Sequence, residues 1–206
     1  AQGFGTVASG SYSQAQGRNT TASGPFSFAS NQNSTATAVC SSAIGEGSSA
    51  TATAAHSQGF GSIAGGLASH AEGYYTEAAS NYSHSEGYRT DATNTAAHAE
   101  GYQSLASGLY SHASNRNTTA SATCAHAEGE GTSATADAAH SEGFQSVASG
   151  FASHAEGYET TASGLYSHAA GRASQATASS AAAIGYNLIA DQENSAVFGQ
   201  WNLHNQ

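Results

Sequence analysis

The chain repeats itself every 14 residues, and the register holds without one insertion from Ala1 to the end of the 206 residues. A central unit reads Ser-His-Ala-Glu-Gly-Tyr-Glu-Thr-Thr-Ala-Ser-Gly-Leu-Tyr, from Ser153 to Tyr166. With position 1 set at Ser13, complete copies begin every 14 residues up to Ala181, and a partial one begins at Ser195. A fixed short period means that one small unit is stacked many times, each copy burying its face against its neighbours.

Position 5 is Gly in thirteen copies, among them Gly45, Gly59, Gly73, Gly87, Gly101, Gly129, Gly143 and Gly157. In the other two copies it is Asn31 and Asn115. Gly and Asn share a tolerance of positive φ, so a tight turn is expected after position 4. Position 12 is often Gly, as in Gly66 and Gly150, and marks a second turn. The segments between, positions 14 to 4 and 8 to 11, are too short for helices and alternate with period two. The fold class expected is all-β: a parallel β-solenoid, or β-roll, with 14-residue turns.

Side-chain size separates inside from outside. Position 3 is Ala or Ser in fourteen of fifteen copies and position 10 is Ala in fourteen of fifteen; positions 1 and 8 are nearly always Ser, Ala or Thr. These four have the parity to face inward. Only small side chains fit between walls closer than the ~10 Å of ordinary stacked sheets. Hydroxyls placed inside need backbone partners, which neighbouring turns are expected to supply. At ~4.8 Å per turn, almost fifteen turns make a rod of roughly 70 Å.

The opposite parity carries the functional candidates. Position 2 is His in nine consecutive turns: His56, His70, His84, His98, His112, His126, His140, His154 and His168. Position 4 is Glu at Glu72, Glu86, Glu100, Glu128, Glu142 and Glu156, and is replaced by Ile44, Ile184 and Phe198 but never by Lys or Asp. A solvated face rarely exchanges Glu for Ile or Phe, so this wall is expected to be covered by another subunit. An Ala/Ser/Gly interior buries little apolar area for its entropy cost, and association would supply the missing core.

Hydrogen-bonded His–Glu ladders between chains are the preferred reading of this wall. A metal ladder is the competing one, since imidazole and carboxylate suit zinc or iron; it is weakened because residues 2 and 4 of a strand stand ~6.8 Å apart. No metal, cofactor or catalytic residue is expected: a uniform ladder lacks a distinct nucleophile, base and orienter. Aromatics at position 6 (Phe4, Phe60, Tyr74, Tyr88, Tyr102, Phe144, Tyr158, Tyr186) could stack on sugars or pack between subunits, with packing preferred.

Charge narrows the partners. The formal net charge is −10 with only four basic side chains, Arg18, Arg89, Arg116 and Arg172. Phosphates need more cations than that, so nucleic acid is not expected as a partner. No apolar run reaches the length needed to span a bilayer, so membrane insertion is not expected either. Cys40 and Cys124 occupy equivalent positions six turns apart, beyond disulfide reach within a chain.

The Ser-x-Ala-x-Gly unit resembles the head repeats of trimeric autotransporter adhesins of the YadA type. Ser41-Ser42-Ala43-Ile44-Gly45 and Ala181-Ala182-Ala183-Ile184-Gly185 carry that resemblance best. The Ser-His-Ala-Glu-Gly form is similar to repeats in phage and prophage tail-fibre proteins. The resemblance implies a left-handed roll, a homotrimer, and the position 2/4 wall turned to the three-fold axis. It also implies an extracellular place, on a virion as a tail fibre or on a bacterial surface as an adhesin. The function expected is a non-enzymatic fibre or adhesin segment for surface attachment, with a cell-surface glycan or protein as receptor. The alternatives are a structural spacer without ligand, or an ice-binding solenoid based on the Thr/Ser-Ala-Thr/Ser triplets at positions 9 to 11. The β-roll is expected over residues 1–187. Residues 188–206, enriched in Ile189, Val197, Phe198, Trp201 and Leu203, are expected to form a cap or a junction to a following domain.

Overall fold

The computed structural model describes residues 1–201. They form a parallel β-solenoid of 14-residue turns without a helix. A typical turn holds a five-residue strand over positions 2 to 6, such as His70–Tyr74, and a two-residue strand over positions 9 and 10, such as Glu77–Ala78. Each strand pairs in parallel with its counterpart one turn away, always in 14-residue register: His70 with His84, Glu72 with Glu86, Ala78 with Ala92. The unbroken period imposes this, because a slip of one residue would exchange the Ala wall for the His/Glu wall.

By contacts the chain divides into two units, Ala1–Gln103 and Ser104–Gln206. In the second, Ile189–Ala190 and Ala196–Gln200 continue the strand pairing beyond residue 187. Of the segment expected to act as a cap, residues 202–206, including Leu203, lie outside the described residues.

Positions 1, 3, 8 and 10 line the interior of both units. Ala78, Ala92, Ser85 and Thr90 are fully buried in the first unit, and Ala134, Ala148, Ser141 and Ser146 in the second. The space is narrow enough for one serine to bridge it: Ser57 Oγ donates to Ser62 O across the coil at 2.7 Å, as Ser141 Oγ does to Ser146 O. The hydroxyl partners are shared between turns more evenly than expected. Ser62 and Ser146 donate to the next turn, at Gly73 O and Gly157 O. Ser69 and Ser111 donate three residues back along the chain, to Gly66 O and Gly108 O.

The reversals of the chain fall elsewhere than the glycines suggest. Positions 7 and 14 have φ between +50° and +68° in every described turn, including Tyr75, Arg89 and Gln103 at position 7 and Ala54, Cys124 and Tyr166 at position 14. Position 14 is thus a turn residue and not part of the outward wall. Position 5 also has positive φ throughout, from +80° at Asn115 to +145° at Gly185, but it lies inside the long strand. What demands Gly there is a close approach as well as φ. A Cβ on Gly73 would meet the carbonyl oxygen of Gly87 at 2.1 Å. The position 12 glycines have no positive φ; at Gly66 a Cβ would meet Ser80 O at 1.9 Å, so they too mark backbone proximity and not a reversal.

Candidate functional site

Each long strand starts at position 2, and parallel pairing sets like upon like. In the first unit His56, His70, His84 and His98 stand in one row, with ring centroids 5.0, 5.0 and 4.6 Å apart. In the second, His112, His126, His140, His154 and His168 do the same at 4.7 to 4.9 Å. These separations are the strand spacing of a sheet, so the backbone dictates the stacking.

The glutamates form a second row on the same face, two residues further on. Glu72, Glu86 and Glu100 belong to the first unit; Glu128, Glu142 and Glu156 belong to the second. Imidazole and carboxylate come closer than their strand positions imply. His70 Nε2 lies 3.3 Å from Glu72 Oε2, and the pairs His84–Glu86, His98–Glu100, His126–Glu128 and His140–Glu142 lie at 3.7 to 3.8 Å. His168 instead reaches back one turn to Glu156 at 3.3 Å. The separation of ~6.8 Å holds for the backbone; side chains of this length lean toward each other and close it. The geometric objection to a metal ligand set therefore falls.

Ile44 stands on this wall in register with Gln58, and Ile184 with Phe198. Both isoleucines are half-buried; Phe198 is 68% exposed. Within a single chain, then, the wall is half open to solvent. Position 5, with Asn31, Gly45, Gly59, Gly73, Gly87 and Gly101 in the first unit, runs beside the Glu row. In the second unit Asn115, Gly129, Gly143, Gly157 and Gly171 floor a groove of about 530 Å³ whose side is Glu128, Glu142 and Glu156.

Burial sets the electrostatics at two histidines of the row. Desolvation, followed by the neighbouring His70, holds His84 below its ordinary value, against the pull of Glu86, Glu100 and Glu72. Desolvation, then His126 and His154, lowers His140 in the same way, against Glu128 and Glu156. On the other wall, burial and then Glu77 raise Asp91. Stacked imidazoles resist acquiring charge together, while the carboxylates beside them favour it.

The position 6 aromatics form a third row. Phe60, Tyr74, Tyr88 and Tyr102 stack nearly parallel at 4.9 to 5.2 Å, and Phe144 stacks on Tyr158 at 5.1 Å. Their flat faces are turned to one another, so the row offers ring edges and hydroxyls, not faces, to a sugar. Arg89 lies near the Tyr88 ring, and Arg172 near Tyr158 and Tyr186.

The left-handed conformation at positions 7 and 14 escaped the sequence reading because Tyr, Arg, Gln and Ala fill these positions as often as Gly and Asn. A signal was present: neither position contains one Val, Ile or Thr, although positions 8, 9 and 13 do. β-branched residues tolerate that region worst.

No family model matches this chain, and no curated protein is similar to it.

Proposed function

We propose that the chain is a segment of an extracellular trimeric fibre, non-enzymatic, whose His/Glu wall packs around the three-fold axis. The observation that carries this reading is the distribution of bulk. Leu188 is the largest fully buried side chain among the described residues, and the rest of the interior is Ala, Ser and Thr. The larger apolar groups stand outside, in rows that include Ile44, Ile184 and Phe198. A coil so thin gains little from its own interior and much from covering those rows with a second and third copy.

Three copies, a left-handed roll and an attachment role follow from the resemblance to YadA-type heads and to phage tail fibres, the phage form being slightly preferred. A spacer without ligand is the second reading, favoured by the aromatic row, whose ring faces are already covered. Ice binding has less support: outward position 9 holds Ile63, Glu77 and Asp91 in adjacent strands, not a uniform Thr row.

Analytical ultracentrifugation at micromolar concentration tests the assembly. Three times the chain mass is expected; a folded, stable monomer refutes the proposal. A broad glycan array, probed with the same trimer, separates attachment from spacing.

A further inference from the structure

The His/Glu wall of the second unit brings together three groups that no ladder of simple hydrogen bonds requires. The donor atoms of Glu142, His154 and Glu156 all lie within 4.8 Å of one another, and no other such triplet occurs among the described residues. Glu142 and Glu156 are directly opposed on adjacent strands, one strand spacing apart. Like charges in that relation repel. Among the described residues their ion partners are histidines only: His140 at 3.8 Å from Glu142 and His168 at 3.3 Å from Glu156 Oε1. Glu156 thereby keeps Oε2 for another partner. His154 is the imidazole left over. Its Nε2, like those of His126 and His140, is buried without a hydrogen-bond partner, an expensive condition for a polar atom, and unlike them it forms no ion pair among the described residues.

We propose that Glu142, His154 and Glu156 bind a divalent cation of the zinc class. One imidazole nitrogen and two carboxylate oxygens form the three-protein-ligand set that zinc accepts, with water in the fourth place. Bonds of about 2.0–2.2 Å require donors about 3.4 Å apart in a tetrahedron. Donors already within 4.8 Å reach this by side-chain rotation, without moving the strands. The groove, open beside the Glu row, gives an ion and its water access to Glu142 and Glu156. Calcium is the wrong cation for the set, since it prefers six to eight oxygens. The ion would also join two carboxylates that otherwise oppose each other. All three donors come from one chain, so the site does not rest on the trimer, although it lies on the wall assigned to it.

The test uses tag-free protein and Zn²⁺ alone, by equilibrium dialysis with metal quantification. Wild type is expected to hold one equivalent that His154→Gln loses, or binds at least tenfold more weakly, while His70→Gln retains it. Ca²⁺ is expected to bind at least tenfold more weakly than Zn²⁺. Absent Zn²⁺ binding at micromolar concentration, equal stoichiometry in His154→Gln, or Ca²⁺ binding as tight as Zn²⁺ each overturns the site. Zinc-edge X-ray absorption of the wild type needs no variant: imidazole in the ligand shell supports the assignment, and an oxygen-only shell refutes it. Sedimentation of the same samples keeps the questions apart. A zinc-loaded monomer would end the trimer and leave the site; a trimer without zinc would do the reverse.

Discussion

A Cβ placed on Gly87 would lie 2.1 Å from the carbonyl oxygen of Gly101, inside any tolerable contact. Gly87 also has φ +117°, a region that L side chains rarely enter. Asn31 and Asn115 show how the position can bear a side chain, by retreating to φ +82° and +80°. Gly87→Val should therefore cost roughly 1–3 kcal/mol or more, and Gly87→Asn less. Urea unfolding of both variants checks the order; equal stabilities would refute the close-approach account.

The interior should punish volume and forgive lost hydroxyls. Ala78 is fully buried between turns carrying Ala64 and Ala92 in register. Ala78→Leu should cost about 1–3 kcal/mol by overpacking, or prevent folding. Ser85 Oγ donates to Thr90 O, which also accepts from Glu77 N. Ser85→Ala leaves that carbonyl partnered and should cost ~1 kcal/mol or less. Thermal unfolding distinguishes the two.

Much of this was legible in the sequence, and the part that was not has a physical reason. Small residues at positions 1, 3, 8 and 10 identify the interior because nothing larger fits, as Ala78 and Thr90 show. Gly at position 5 signals positive φ correctly, yet composition alone cannot tell a reversal from a close backbone approach within a strand. Tyr75 and Arg89 adopt the left-handed turn with ordinary side chains and so conceal it. The His–Glu contacts depend on how two flexible side chains lean, which backbone spacing does not determine. The approach of Glu142, His154 and Glu156 to one another was hidden for the same reason.

The aromatic row should behave as a stack. Tyr88 lies between Tyr74 at 5.2 Å and Tyr102 at 4.9 Å. Tyr88→Ala should cost about 1–3 kcal/mol, from two ring contacts at about 0.5–1.5 each, while Tyr88→Phe should be nearly neutral. Chemical denaturation of both, with tyrosine fluorescence as the probe, reads the difference.

Acid should act on the first unit in two opposing ways. The folded pKa of His84 lies below its ordinary 6.5, so the unfolded chain takes up its proton first. Stability is present above 6.5 and falls as the pH drops from there toward the folded value. Asp91 runs the other way: its folded pKa lies above 3.8, so the folded chain binds that proton first and gains stability as the pH falls through the raised value. Urea unfolding across acidic pH should show a loss that His84→Gln reduces and an opposing gain that Asp91→Asn removes.

Variants of one rung test whether the His/Glu wall is covered. Replacing a buried polar pair with apolar residues is often neutral or better, whereas leaving one buried charge unpaired costs several kcal/mol. If three copies meet at this wall, as proposed, His98→Val with Glu100→Ile should keep the trimer, and Glu100→Lys should weaken it. If light scattering finds both variants unaltered, the wall faces solvent.

The unbroken register of 14 makes length an inheritable quantity that changes in whole steps. Excising residues 56–69 joins Ala55 to His70, and each strand then meets a neighbour of the kind it had before. Loss of a single residue would instead put the strands on either side of it out of register by one. Recombination between near-identical repeats can therefore shorten or extend the solenoid while its cross-section stays constant. Selection on reach is thus separated from selection on folding.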